Sequence, residues 1–167
     1  MVESNSAPHA SPLFPALLAA PLGLVPVAVH STALAFALNR LFARQIKEGE
    51  MDFLADRVIA IEIRDARLAF RLTLSGGQLA AASRGPVDLI VGGSVYDLLL
   101  LATGREDPDT LFFQRRLSLD GDTELGLYVK NFLNSQDPQE VLPAPLRLFL
   151  PHLAPLYDRL FGSKNNL

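Results

Sequence analysis

The chain has no cysteine, which excludes a disulfide framework and a thiolate metal site and suits a reducing, cytoplasmic setting. Histidine is nearly as scarce. His9, His30 and His152 sit in separate proline-rich or apolar segments, without the H-x-E or HExxH spacing that would make them metal ligands or bases. There is no G-x-S-x-G elbow, GxGxxG turn or P-loop; GGSVYD sets a serine after two glycines but lacks the second flank of a strained elbow. The net charge is −3 and lysine and arginine form no long basic face, so there is no electrostatic footprint for nucleic acid. Between Ala7 and Asn39 no charged residue occurs at all. These absences lead us to expect no catalytic residues, no metal and no cofactor.

The uncharged run is long enough for a membrane span, but Pro8, Pro12, Pro15, Pro21 and Pro26 interrupt it, and each removes a backbone donor and kinks a helix that contains it. The residues before it, MVESNS, carry Glu3 and no cation, unlike a signal peptide. Two short helices fit better, one from Pro15 to Ala20 and one from Pro26 to about Lys47. In the second, Leu34, Leu38, Leu41, Phe42 and Ile46 recur at helical spacing and Gly49 supplies a stop. With 167 residues, 49% of them apolar, and a mean hydropathy of +0.23, one domain with appendages is expected. Such a chain buries more than its own core, against a membrane surface, a second subunit or a lipid-sized ligand.

The hydrophobic period then changes from helical to alternating. Ile59, Ile61 and Ile63 share one face of a strand and Leu68, Phe70, Leu72 and Leu74 one face of the next, as half-buried antiparallel strands do. Gly76 and Gly77 form a hairpin turn into a weak strand at Leu79 to Ala82, and Val87, Leu89 and Val91 make a fourth. Ser94 with Asp97 is a capping box opening the helix VYDLLLLATG, which Gly104 closes. A short helix opens at Asp107 and Pro108, and Leu117 and Leu119 mark a fifth strand. Asp122 caps a helix whose face is Leu125, Val129 and Phe132. After a loop between Pro138 and Pro145, an amphipathic helix from Leu146 to Phe161 is expected, bent by Pro151 and Pro155. The expected fold is α+β, one sheet covered by helices.

The acidic pairs Asp107/Asp109 and Asp120/Asp122 could be read as a cation site, but they fall at turns and helix starts, where capping and the helix dipole favour aspartate. Arg115 and Arg116 are either a solvated helix end, paired with Asp107 or Glu106, or a clamp for an anionic head group. Phe112 and Phe113 lie about 100° apart on a helix, so one can enter the core while the other lines a cavity.

The string DPDTLFFQRRLSLDGDTELGLYVKNFL, with a fifth strand before a Gly-Asp turn and a helix, resembles the sterol carrier protein type two (SCP2) domain, in particular its members that assist ubiquinone biosynthesis. The resemblance is strongest from Glu106 to Leu133 and weaker from Glu48 to Gly104. It implies a five-stranded sheet and covering helices around an apolar tunnel. On that fold the wall is expected at Phe70, Leu99, Phe112, Phe113, Leu125, Val129 and Phe132. Arg115 and Arg116 are expected at the head-group rim, with Lys130 a further cation on offer. Residues 48–137 would be the lipid-binding core, residues 1–47 an apolar, proline-rich helical segment for membrane or dimer contact, and residues 138–167 the C-terminal amphipathic helix.

The resemblance also implies a non-enzymatic accessory factor, peripheral to the membrane, acting in the oxygen-independent ubiquinone pathway. It would bind polyprenyl quinone intermediates or other lipids, beside the proteins that perform the hydroxylations. The alternative is a membrane-tethered scaffold that recruits those proteins.

Overall fold

The computed structural model describes residues 26–82 and 85–161; the helix expected from Pro15 to Ala20 lies outside them. Pro26 stands immediately before α1 (Val27–Leu41), where its missing N–H is not needed and its carbonyl accepts from the amides of Val29 and His30. The helix expected to run on to Lys47 is interrupted at Phe42, and α2 (Ala43–Lys47) follows. Gly49, at φ +79°, ends it in the left-handed region that glycine enters without a Cβ clash. A single 3₁₀ turn, Asp52–Leu54, leads into the sheet.

The strands are β1 (Ile59–Ile63), β2 (Leu68–Ser75), β3 (Gln78–Ala81), β4 (Leu89–Gly93) and β5 (Ser118–Gly121), in the order β3-β2-β1-β4-β5. Gly76 and Gly77, both at positive φ, make the hairpin turn between β2 and β3. Pairing is antiparallel throughout except between β1 and β4, which run parallel with Ile59 opposite Leu89. The hairpin partner occupies one edge of β1, so the chain crosses to the other edge. There the amide of Asp88 bonds the carbonyl of Val58, at the start of β1, and β4 begins at the same end. The sheet is therefore mixed.

On one face, Ile59 and Ile61 stand beside Leu72 and Phe70 of β2 and Leu89 and Val91 of β4. The helix α5 (Thr123–Ser135) lays Leu125, Val129 and Phe132 against that face, and α1 adds Leu34, Ala35 and Leu38. Leu54, Leu72 and Leu89 are fully withdrawn from water, and burial of each such side chain stabilises by about 1.5–3 kcal/mol. One side of α1 thus packs on the core, while Val27, Val29 and Phe36 stay exposed. Two polar contacts seat α1: the Ser31 hydroxyl accepts from the amide of Arg71 at 2.8 Å, and the Asn39 amide group both accepts from Leu79 N–H and donates to Leu79 C=O, each at 2.8 Å.

The connecting helices are α3 (Val95–Ala102) and α4 (Pro108–Phe113). Residues expected to form a loop include a one-turn helix, α6 (Pro138–Val141). The last helix, α7 (Ala144–Phe161), runs through Pro151 and Pro155 as one element and meets α3, where the rings of Tyr96 and Tyr157 stack at 5.6 Å. No helix of the described residues is long and apolar enough to cross a membrane.

Candidate functional site

The segment LFFQRR opens with Leu111, which is fully buried, whereas Phe112 is half-buried and Phe113 is 90% exposed. On a helix of six residues each step turns the side chain by about 100°, and α4 spends its single inward position on Leu111. The expectation of a cavity wall at Phe113 is corrected accordingly. Leu99, partly buried beside the buried Leu100, and Phe112 belong to the α3–α4 side, outside the core cluster. Phe70 lies under α1, its ring edge-on to His30 at 6.1 Å. Only Leu125, Val129 and Phe132 of the expected wall come together, in the core beneath α5.

The arginines separate in the same way. Arg115 takes φ +58° and closes α4: its amide bonds the carbonyl of Phe112 and the next amide bonds that of Leu111, the Schellman arrangement. Its side chain is exposed. Arg116 turns inward. Its guanidinium reaches Asp97 Oδ1 through Nη2 at 2.6 Å and Nε at 2.7 Å, and Glu106 at 3.7 Å, and it lies over the Tyr96 ring. Asp97 also accepts from the Ser94 hydroxyl, while its own amide donates to Ser94 Oγ and closes the capping box. A carboxylate that buried requires a counter-charge, so Arg116 is occupied inside the fold instead of standing at a rim. Lys130 is likewise held, 2.8 Å from Asp109, and that contact is the main reason the Asp109 carboxyl is pulled below its ordinary pKa.

Three of the four aspartates in the acidic pairs, Asp107, Asp109 and Asp122, cap or bridge. Asp107 accepts from the Thr110 hydroxyl and amide, which lower its pKa in that order. Asp122 accepts from the amides of Glu124 and Leu125 and pairs with Arg57 at 3.0 Å. Arg57 reaches Asp88 as well, at 3.6 Å, and so fastens the β5–α5 turn to the approach to β1. Among the described residues no group of three or more His, Asp or Glu side chains is gathered where a metal ion would sit.

Two open clefts flank the core helix α5. One, of about 330 Å³, is lined by Phe53, Arg57, Glu124, Leu125 and Tyr128. The other, of about 570 Å³, shares Phe53 and Tyr128 and extends past Arg44, Gln45, Phe132 and Gln136 towards α6. Where they meet, the Phe53 and Tyr128 rings are stacked, with centroids 6.0 Å apart and planes 10° from parallel. Behind them Phe132 touches both Phe53 and Phe42 ring to ring. The cations at these clefts are Arg57 and Arg44. Sequence reasoning singled out none of Phe53, Tyr128, Arg57 and Arg44. Tyr128 was within reach, since it falls three residues after Leu125 and four before Phe132 on the same helix; Phe53 lies in a turn without periodicity.

The SCP-2 sterol transfer family model matches residues 38–134. The ubiquinone biosynthesis accessory factor UbiT of Escherichia coli (strain K12) is 39% identical over 142 residues, spanning 85% of this chain and 81% of that protein. UbiT of Escherichia coli O157:H7 matches to the same extent. Among solved structures, a protein described as UbiJ-SCP2 ubiquinone synthesis protein superposes with a TM-score of 0.51 at 18% identity, covering 66% of this chain and 93% of that one. That likeness is one of fold.

Proposed function

The chain belongs to the SCP-2 sterol transfer family, and from that premise we propose that it is a non-enzymatic, lipid-binding accessory factor of ubiquinone biosynthesis, acting in the oxygen-independent pathway on polyprenyl quinone intermediates. The observation that carries this reading is the extent of the relationship: the identity to a ubiquinone accessory factor runs over 142 residues and takes in the sheet, α5 and both clefts. The physical need is plain. Each methylene of a polyprenyl tail is worth about 0.8 kcal/mol when buried, so a whole tail exposed to water costs on the order of tens of kcal/mol. An apolar layer between sheet and helix shields such a tail without directional bonds, in keeping with a sequence that carries no sharp polar motif.

In this reading Leu125, Val129 and Phe132 form the inner wall, Phe53 and Tyr128 the mouth, and residues 48–137 the lipid-binding core. Leu54, Leu72 and Leu89 fill the space beneath, so a tail enters by parting α5 from the sheet. The hydroxylation proteins of the pathway are the partners to which the lipid is presented, at the membrane surface.

A second reading is favoured by α7. Leu148, Phe149, Leu153 and Leu156 stand exposed along it, Phe149 at 69%, and α1 exposes Val29 and Phe36. Apolar faces of that kind suit a peripheral scaffold that gathers partner proteins, or a homodimer. Organic extraction of the purified full-length protein followed by mass spectrometry separates the two readings. Polyprenyl lipid in stoichiometric amount is expected of a carrier. A protein that carries no lipid and takes up none from vesicles leaves the scaffold.

A further inference from the structure

We infer that the Phe53–Tyr128 pair is a stacking platform for a planar, oxygen-substituted six-membered ring, the phenolic or quinonoid head group of the bound lipid. The inference rests on the lipid-binding reading above and adds how the head group is told from that of other lipids.

Three observations carry it. The two rings are stacked with planes 10° from parallel, and both residues line both clefts. A ring bound in either cleft therefore has both aromatic residues on its wall. Tyr128 is also 49% exposed, which leaves area for a further partner to cover. Finally, Arg57 and Glu124 stand at the rim of the smaller cleft. They add a donor and an acceptor to the lining of the cleft that the aromatic pair shares, for the hydroxyl or keto oxygens of a ring bound there. Arg57 is already held by Asp122 and Asp88, both through Nη1, so the donor is fixed before a ligand arrives and less freedom is lost on binding. Behind the pair, Leu125 and Phe132 continue into the core cluster, the direction a prenyl tail would follow. A saturated head group cannot stack on this pair, because stacking needs a flat π-surface on both sides.

The test uses the full-length protein and two probes with the same tail, a geranyl-substituted benzoquinone and geraniol, each displacing a fluorescent fatty acid. The benzoquinone is expected to compete better than the alcohol. Phe53→Leu and Tyr128→Leu keep the apolar character of the wall but remove a ring. Each is expected to weaken the benzoquinone about three- to tenfold, the scale of one aromatic pair, while geraniol shifts less than about twofold on the same scale. Tyr128→Phe should retain the preference. Circular dichroism of each variant establishes that it is folded. The platform is overturned if both probes weaken equally, or if neither does, in folded variants. A wild-type protein that takes up neither the fatty acid nor, by direct titration, the geranyl benzoquinone overturns the lipid-binding reading and the platform together.

Discussion

The guanidinium of Arg116 meets the carboxylate of Asp97 at 2.6 Å, with 16% of one side chain and 4% of the other open to solvent. Removing one partner of such a pair leaves a buried charge without compensation. Arg116→Ala is therefore expected to cost about 3–5 kcal/mol in urea unfolding, and Arg116→Ala combined with Asp97→Asn should recover part of that loss. A folded, fully stable Arg116→Ala protein with altered lipid head-group preference would return this arginine to the rim of the binding site.

Neighbouring positions of α4 should respond in opposite ways. Leu111 has no exposed surface and Phe113 is exposed almost throughout. Leu111→Ala is expected to destabilise by about 2–5 kcal/mol, the range for truncating a buried leucine. Phe113→Asp should change stability by no more than about 0.5 kcal/mol, as for ordinary surface sites. Equal losses in the two variants would mean that α4 is rotated from the orientation described.

Asp122 links the start of α5 to pH. The amide of Leu125 foremost, and then Arg57, hold its carboxyl below the ordinary pKa. A depressed folded-state value means that the stabilisation is present above the ordinary carboxylate value and is lost as pH falls through the depressed one. Asp122→Ala should lower Tm at neutral pH by about 2–4 °C, the scale of a lost cap in a chain of this size, and should flatten the acid limb of the stability profile. Asp122→Asn keeps a capping acceptor and should lose less. Scanning calorimetry across the acid range, with all three proteins, decides it.

At the alkaline end the sensitive group is Tyr157. Burial first, then the nearby carboxylates of Asp65 and Asp97, push its pKa up to about 12. A folded value raised above the unfolded one confers stability that is intact below about pH 10 and is lost as pH climbs towards 12. One of the three tyrosines should therefore ionise late when phenolate absorbance is followed, and Tyr157→Phe should abolish that late step. If the variant titrates like the parent, the contact between α7 and α3 is looser than the Tyr96–Tyr157 stack implies.

Much of this architecture is legible in the chain because local chemistry and tertiary structure agree. Ser94, Asp107 and Asp122 each accept an amide at the helix start where they were expected, and the alternation in IAIEI and LAFRL marks the first two strands. The Gly-Asp turn is legible as a turn; its reason is not. Gly121 sits at φ +129°, and a Cβ there would run into the carbonyl of Asp88, a contact made across 33 residues by the β4–β5 pairing.

The same limit hid the site. Arg116 looks like half of a solvent-facing pair until α3 brings Asp97 against it from 19 residues away. Phe53 looks like filler until α5 sets Tyr128 beside it. Parallel pairing of β4 with β1 leaves no local trace either, since a buried strand reads the same in both directions.

The Asn39 side chain closes on the main chain of Leu79 as another strand would, one bond in each direction. β3 is the outermost strand on that side of the sheet, and an open outer strand is a template on which a second copy can extend the ladder. With a helix-borne amide seated there, growth of the sheet from molecule to molecule is blocked at that end. Asn39→Ala would leave the outward N–H and C=O of Leu79 without these bonds, so one helix-borne amide stands where the next strand of a ladder would otherwise pair.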